Sequence, residues 1–384
     1  MIKKIAFLVD SLFNERDFKR FGIEELRKEG FLVEIWSIYF LTNGHKILDI
    51  KPPFYCTFLF KKNDFIKVLD ENRDNMLVIN HISYNFFNFF AFKAICKRNI
   101  PYCVVHLGAV PISKKSGWKN IVHHLMNLSF DRFINKLFSL INYRLLKVEE
   151  ADYALVGSKV DKQVAYMCGR KTKYIFAHSF DYETYLERKT KKNTLHYLEK
   201  HIVFLDEYGP FHPDLSLHNI KPLLNATDYY AELNKFFDYL ELEFKLPVII
   251  AAHPKSDYEL NNKYFLDRPV IKNKTLELVE QSKFVLLHAS TSVNFAVLNK
   301  KPLVFLTSTS YKRGIQKKGI MTMAKTFQAR SIVDLKKYNT YANAKKLYID
   351  ELIYSKYLYD YVKAKEAPNV PLWQIFSQSI RNIT

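Results

Sequence analysis

The sequence has few cysteines, no long uncharged stretch and comparatively few acidic residues. Its four cysteines are scattered over 384 residues without CxxC spacing. This argues against a zinc site or a disulfide framework and predicts a reduced, cytoplasmic protein. No uncharged run of about 18 residues occurs, so we expect no transmembrane span. The apolar run at the N-terminus soon meets Asp10 and lacks a small-residue cleavage site, so we interpret it as a first β-strand rather than a signal peptide.

Acidic residues are outnumbered by basic ones. The chain has 39 Asp and Glu against 58 Lys and Arg, which gives a formal net charge of +19. Such an excess favours an anionic partner, namely nucleic acid, a lipid surface or a phosphorylated substrate, although a lysine-rich genome gives the same composition. The lysines are dispersed, and no RNP signature, zinc finger or basic zipper is present. We therefore do not expect nucleic acid binding.

Several common catalytic motifs are missing as well. Neither GxxxxGK[ST] nor GxGxxG occurs, which removes the usual support for ATP or dinucleotide binding. GxSxG, the nucleophile turn of many hydrolases, is also missing. No DxD stands at the end of a predicted strand, so we expect no metal ion to bridge the protein and a nucleotide, and no other cofactor.

Short apolar runs alternate with helical patterns along the chain. The first half contains the predicted strands "KIAFLVD", "FLVEIWSI", "NMLVINH" and "PYCVVHLG", and the second half contains "HIVFLDEYG", "PVIIAAHP", "KFVLLHAST" and "PLVFLTS". Near-continuous apolar strands separated by helices are typical of a parallel sheet that is covered on both faces. The sequence therefore predicts two Rossmann-like, doubly wound α/β domains.

The length also favours two domains. We place an N-terminal acceptor domain at residues 1–185, a C-terminal nucleotide-sugar domain at 198–365 and a tail helix at 366–384. A polar, basic linker lies between the two domains. We expect the tail helix to cross back to the first domain.

A basic, amphipathic insert at about 112–148 lies within the first domain. It interleaves Lys, Arg and His with large apolar side chains at near-helical spacing. This pattern is typical of a segment that contacts an anionic leaflet, so peripheral attachment to the inner face of the membrane is one hypothesis. Two ordinary helices with their apolar faces on the core give the same pattern.

The loops that follow predicted strands are candidate sites, because ligands of open α/β sheets bind beyond the carboxyl ends of the strands. In "AAHPKSD", His253 leaves an apolar strand, Pro254 fixes the turn and Lys255 adds a second cation. A cationic imidazole beside an ammonium group can neutralise a leaving phosphate.

A second loop, "HASTS", places Ser290, Thr291 and Ser292 between a strand and a helix. Hydroxyls at this point can cap the free N–H groups of the helix and hydrogen-bond an anion such as a nucleotide phosphate. A plain helix cap explains the same residues without a ligand.

Acidic residues at two strand ends are candidate general bases. Asp206 and Glu207 open "DEYGP", Asp10 follows the first strand, and His106 in "VVHLG" is a further candidate. A hydrogen-bonded turn explains Asp206 equally well, and a helix cap explains Asp10.

The His253-Pro254 pair followed by Ser290-Thr291-Ser292 resembles the motif set of bacterial GT-B glycosyltransferases that use CMP-activated acidic sugars. That group comprises sialyltransferases, related nonulosonate or Kdo transferases and, more distantly, CDP-glycerol glycerophosphotransferases. The resemblance implies the α/β GT-B fold, in which two Rossmann-like doubly wound domains face a cleft. It also implies that the imidazole and the hydroxyls hold the phosphate and ribose of the nucleotide.

In those transferases an acidic residue deprotonates the acceptor hydroxyl. Sialyltransferases of this kind carry a D/E-D/E-G motif in the N-terminal domain, whereas Asp206 and Glu207 open the second domain of this sequence. The sequence departs from the family at this point, so Asp206, Glu207 and Asp10 all stay candidates for the base.

The resemblance implies an inverting, metal-independent transfer of an acidic sugar, a sialic-acid-like nonulosonate or Kdo, from a CMP donor. The acceptor would be a bacterial surface glycan, free or lipid-linked. A GT-B transferase that uses a UDP-sugar or CDP-glycerol donor is the nearest alternative. A non-catalytic scaffold or glycan-binding module of a polysaccharide assembly complex is an alternative of another class.

Overall fold

The structure is a computed structural model. It describes residues 2–13, 15–42, 55–111, 130–190, 200–212, 225–258, 262–309, 315–329, 332–338 and 347–383. The chain divides into two compact units, here called the N-terminal and C-terminal domains. The N-terminal domain comprises Met1–Ala109, Lys115–Phe180 and Lys363–Thr384, and the C-terminal domain comprises Val110–Lys114 and Asp181–Val362. Residues 112–129 of the predicted basic insert lie outside the described residues.

The N-terminal domain contains a seven-stranded parallel sheet in the order β3-β2-β1-β4-β5-β6-β7. Its strands are β1 (Lys4–Val9), β2 (Leu32–Ser37), β3 (Thr57–Phe58), β4 (Met76–Asn80), β5 (Tyr102–His106), β6 (Tyr153–Val156) and β7 (Lys173–Phe176). Its helices are α1 (Glu15–Arg20), α2 (Ile23–Lys28), α3 (Tyr39–Thr42), α4 (Lys62–Asn72), α5 (Phe89–Lys97), α6 (Phe130–Phe138), α7 (Lys159–Val164) and, near the end of the chain, α14 (Leu372–Ile383).

The C-terminal domain contains a six-stranded parallel sheet in the order β10-β9-β8-β11-β12-β13. Its strands are β8 (His201–Leu205), β9 (Val248–Ala252), β10 (Val270–Lys272), β11 (Ser282–Leu287), β12 (Leu303–Thr307) and β13 (Ile332–Asp334). Its helices are α8 (Phe180–Thr190), which begins at the domain boundary, α9 (Ala226–Phe244), α10 (Thr275–Gln281), α11 (Val293–Leu298), α12 (Ile315–Thr326) and α13 (Glu351–Tyr357).

Both sheets bury both of their faces. In β1, Ile5 and Phe7 pack into the apolar cluster that includes α2 and α14. Ala6 and Leu8 pack into the opposite cluster, which includes α4 and α5. β8 divides its residues between two clusters of the C-terminal domain in the same way. Successive side chains of a strand point to opposite faces, so a strand that is apolar at every position must be covered twice.

The two parallel sheets with helices on both faces confirm the predicted doubly wound α/β architecture. Within the described ranges, no helix is long and apolar enough to cross a membrane.

The last helix, α14, packs into the core of the N-terminal domain. Trp373 lies against Gly22, and its indole N–H donates to the carbonyl oxygen of Arg20 at 2.9 Å. Gly22 has a φ of +55°, and a Cβ at this position would lie 2.0 Å from Cδ1 of Trp373. Two separate constraints therefore require glycine at position 22, namely the left-handed backbone and the close approach of the indole ring.

We expect Gly22→Ala to destabilise the protein more than Gly30→Ala does. Gly30 also has a positive φ, +86°, but no atom lies within 4 Å of the position of its Cβ. Both variants should lose roughly 1 kcal/mol from backbone strain. Gly22→Ala should lose a further 1–3 kcal/mol or so, because the methyl group displaces Trp373. Equal losses in urea unfolding of the full chain would show that the indole contact is unimportant.

Candidate functional site

Three loops at one edge of the C-terminal sheet form the candidate site. Strands β9, β8 and β11 are neighbours in that order, and the loops that follow them span residues 253–257, 206–212 and 288–292. The strands are parallel, so all three loops leave the same edge of the sheet. The two outer strands lie about 10 Å apart at ordinary strand spacing. A nucleotide can bridge that distance, whereas a single small anion cannot.

Asp206 follows β8 directly and is buried beside the loop after β9. It is 4% exposed. Its Oδ1 accepts a hydrogen bond from the N–H of Tyr208 at 3.1 Å. Its Oδ2 accepts from the hydroxyl of Tyr258 at 3.0 Å and from the N–H of His253 at 3.4 Å. Burial raises the pKa of Asp206 to about 6, although these hydrogen bonds act in the opposite direction. Both oxygens are engaged within the domain, which favours a positioning role over that of a general base.

Glu207 connects the middle loop to the loop after β11. It is partly exposed, and its Oε1 accepts a hydrogen bond from the N–H of Ala289. Burial raises the pKa of Glu207 to about 7, and the charge of Asp206 acts in the same direction. A carboxyl group that titrates near neutral pH at the edge of the sheet can act as a base or as a hydrogen-bond donor.

His253 and Lys255 occupy one tight turn after β9. The N–H and the hydroxyl of Ser256 both donate to the carbonyl oxygen of His253, at 2.9 and 2.7 Å. The N–H of Lys255 donates to Nδ1 of His253 at 3.2 Å, so the neutral ring carries its hydrogen on Nε2. Pro254 and Lys255 are exposed. His253 and Lys255 therefore belong to one tight turn at the edge of the sheet, and their role in binding a phosphate stays a prediction.

The loop after β11 begins with a buried histidine, His288, that belongs to the core. Its Nδ1–H donates to the carbonyl oxygen of Leu306 at 2.8 Å, and its Nε2 accepts from the hydroxyl of Tyr229 at 3.0 Å. Burial lowers the pKa of His288 to about 4. The ring is therefore neutral, with both nitrogens used to fix the start of the loop.

The hydroxyls of this loop do not cap α11, contrary to the sequence-based expectation. Ser292 is the N-cap residue, and its side chain makes no capping hydrogen bond. The N–H groups of Val293 and Asn294 donate instead to the carbonyl oxygens of Ser290 and Thr291, both at 3.2 Å. Backbone carbonyls thus satisfy these two N–H groups, and the hydroxyl of Ser290 accepts the N–H of Ser292, at 3.3 Å. Any anion held here must rely on the hydroxyls rather than on the helix end.

Asp10 and His106 lie in the N-terminal domain. Oδ2 of Asp10 accepts a hydrogen bond from Nδ2 of the buried Asn88 at 3.0 Å, and burial raises the pKa of Asp10. Asp10 is partly exposed. Nε2 of His106 accepts from the N–H of Tyr166 at 3.3 Å, and burial lowers its pKa to about 4. The geometry therefore favours Asp10 over His106 as a base in this domain.

His212 lies beside His253 at this edge, although it is not among the candidate residues predicted from the sequence. Its ring lies 4.9 Å from the ring of His253, measured between centroids, with the planes inclined by 61°. A signal for it exists, since "FHPD" at 211–214 repeats the His-Pro dipeptide of "AHPK" at 252–255. The repeat gains meaning only when β8 and β9 are known to be neighbours.

Within the residues that the structure describes, no three side chains of His, Cys, Asp or Glu come together as a metal site. The metal independence of the reaction stays a prediction.

The fold is similar to that of several solved structures. The S. aureus MnaA-UDP co-structure is 14% identical and covers 100% of this chain and 97% of its own, with a TM-score of 0.50. MurG of Acinetobacter baumannii is 10% identical over 99% of both chains, with a TM-score of 0.49. UDP-GlcNAc 2-epimerase of Methanocaldococcus jannaschii, in complex with UDP-GlcNAc and UDP, is 12% identical over 99% of both chains, with a TM-score of 0.44.

No protein-family model matches the sequence, and no curated protein is significantly similar to it. At these levels of identity the structural likeness concerns the fold alone. The chain has the GT-B fold, with two Rossmann-like domains built on parallel sheets of seven and six strands, which confirms the predicted fold class.

We expect Glu207→Gln to become more stable relative to the wild type as pH rises from about 5 to about 8. The pKa of folded Glu207 is raised to about 7, above its ordinary value of 4.5. The folded state therefore keeps a proton that the unfolded chain has lost, and this stabilisation disappears as pH rises through 7. The relative gain should reach about 1–3 kcal/mol in urea unfolding. A pH-independent difference for Glu207→Gln would contradict the raised pKa.

Proposed function

We propose that the protein is a GT-B glycosyltransferase that uses a UDP-sugar donor. The observation that carries this proposal is the row of three loops at one sheet edge, with His253 and Lys255 on one side and the hydroxyls of 290–292 on the other. A cationic turn and a hydroxyl-rich loop on either side of a central strand match the phosphate and the ribose of a nucleotide. The UDP bound to the structurally similar S. aureus protein supports uracil as the nucleobase of the donor.

A CMP-linked acidic sugar, a sialic-acid-like nonulosonate or Kdo, is the second candidate donor. The pairing of His253-Pro254 with Ser290–Ser292 favours it, because this pairing resembles the motifs of CMP-sugar transferases. For either donor we propose a glycan or lipid-linked glycan of the bacterial surface as the acceptor.

We propose that His253 and Lys255 stabilise the negative charge on the phosphates of the departing nucleotide, as donors fixed before the reaction begins. Asp10 is the proposed base. In this reaction the acceptor oxygen forms a bond to the anomeric carbon, its proton passes to the carboxylate, and the bond from that carbon to the phosphate oxygen breaks. Glu207 is less suitable as the base, because a phosphate bound beside it would raise its pKa further and keep it protonated.

We expect UDP to raise the thermal unfolding temperature of the purified protein. A ligand that binds only the folded state stabilises it by about 2.7 kcal/mol at 100 times its Kd. The screen would compare UDP, CMP, CDP, GDP and ADP. His253→Ala should remove the response, whereas Lys263→Ala, at an exposed lysine of the same domain, should keep it.

Asp10→Asn separates binding from turnover in the same preparation. It should respond to UDP as the wild type does but release UDP from a sugar donor about 10²–10⁴-fold more slowly, as expected when a general base is lost. A response to CMP alone would transfer the proposal to the second donor class. If no nucleotide raises the unfolding temperature, both donor classes are refuted and the non-catalytic scaffold is left as the explanation.

We also propose that the protein attaches peripherally to the inner face of the membrane through α6 and the turn that follows it. Exposed apolar side chains cluster in this segment, namely Phe133, Leu137, Leu140, Ile141 and Leu145. Lys136, Arg144 and Lys147 lie among them. Apolar side chains surrounded by basic ones match the charge of an anionic lipid surface.

We expect the double substitution Leu140→Glu and Leu145→Glu to weaken sedimentation with phosphatidylglycerol vesicles at least tenfold. The two leucines are 78% and 79% exposed, and burying a leucine in lipid contributes about 1.5–3 kcal/mol. Leu352→Glu is the matched control, since Leu352 is 84% exposed but belongs to α13 of the C-terminal domain. Equal binding by all three proteins would place the membrane contact elsewhere.

A further inference from the structure

His212 and His253 form a pair of imidazoles on adjacent loops of the C-terminal domain. Their ring centroids lie 4.9 Å apart, and their planes are inclined by 61°. The loops follow β8 and β9, which pair in parallel register from Ile202–Val248 to Leu205–Ala251. Both histidines are partly exposed. The two rings are therefore close to each other and accessible at the sheet edge.

The loop that carries His212 is held in place by packing. A 3₁₀ turn at Gly209–Phe211 contains Pro210, and the N–H of Phe211 donates to the carbonyl oxygen of Tyr208 at 3.0 Å. The ring of Phe211 packs against that of Tyr264 at a centroid distance of 5.4 Å. The residue directly before His212 is thus fixed in an aromatic cluster.

The two loops are also bonded to each other. Asp206, on the first loop, accepts the N–H of His253, on the second. The hydroxyl of Tyr208, also on the first loop, donates to the carboxylate of Asp257 on the second loop. Two hydrogen bonds between the loops fix the backbone on which each imidazole stands. The pair is consequently organised before any ligand binds.

The chemistry of the pair matches a diphosphate better than a single phosphate. A sugar joined to CMP carries one phosphodiester with a single negative charge, whereas a sugar joined to UDP carries two negative charges on two linked phosphates. His253 and Lys255 already supply an N–H donor and an ammonium group on one turn. His212 adds an imidazole on a second loop, with its ring centroid 4.9 Å from that of His253, a spacing that suits two linked phosphates better than one.

We infer that His212 and His253 together bind the diphosphate of a nucleoside diphosphate sugar, and that His212 selects such donors over monophosphate-linked ones. This inference rests on the proposed function and narrows its donor class. His212 contacts the second phosphate, and His253 contacts the phosphate that both donor classes share.

The test is a calorimetric comparison of UDP and UMP binding to the full chain, repeated with CDP and CMP. The wild type should bind UDP at least tenfold more tightly than UMP. His212→Ala should weaken UDP binding about tenfold and change UMP binding less than twofold, so that the ratio of the two affinities collapses. His253→Ala should weaken both. His212→Gln keeps an N–H donor and should retain part of the preference for UDP, and it carries the test if His212→Ala unfolds.

Three outcomes would overturn the inference. One is equal affinity of the wild type for UDP and UMP, and another is an unchanged ratio in His212→Ala. The third is stoichiometric Zn²⁺ binding that His212→Ala abolishes, which would make the pair a metal site. Nucleotide binding with an unchanged ratio refutes only the role of His212, whereas no binding of any nucleotide by the wild type refutes the proposed function as well.

Discussion

The candidate site depends on one buried carboxyl group, that of Asp206. It lies where the first strand of the C-terminal sheet ends, and it receives hydrogen bonds from its own loop, from the loop after β9 and from a core tyrosine. Burying a carboxyl group is unfavourable unless its oxygens are hydrogen-bonded, and these donors would in turn be left unsatisfied without it. Each group therefore requires the others, and the two loops are held as one unit.

The order of the parallel strands determines which side chains come together in this unit. β9, β8 and β11 are adjacent in space, although their loops are far apart in sequence. The loop after β9 contributes His253 and Lys255, the loop after β8 contributes carboxyl groups and His212, and the loop after β11 contributes hydroxyls. Glu207 and Asp206 hydrogen-bond the middle loop to its two neighbours, so a displacement of one loop will displace the others.

The sequence predicts the architecture well, because strands apolar at every position, such as β1 and β8, require cover on both faces. It also predicts that His253 and Ser290 follow buried strands. It does not predict that Asp206 is buried, that Ser292 makes no side-chain cap or that His212 meets His253. These features depend on tight loop closure and on which strands are neighbours, and both are set by long-range packing. The His253-Pro254 and Ser290–Ser292 motifs likewise do not distinguish a donor with one phosphate from a donor with two.

The contact between Trp373 and Gly22 has a consequence for how this chain folds while the ribosome makes it. The indole N–H and the carbonyl oxygen to which it donates are 353 positions apart in the sequence, yet both belong to the N-terminal domain. A ribosome makes the first domain almost completely before it makes α14, so the nascent chain exposes the apolar surface that this helix later covers. The C-terminal domain can acquire its core earlier than the domain that precedes it, and the order of folding is then the reverse of the order of synthesis.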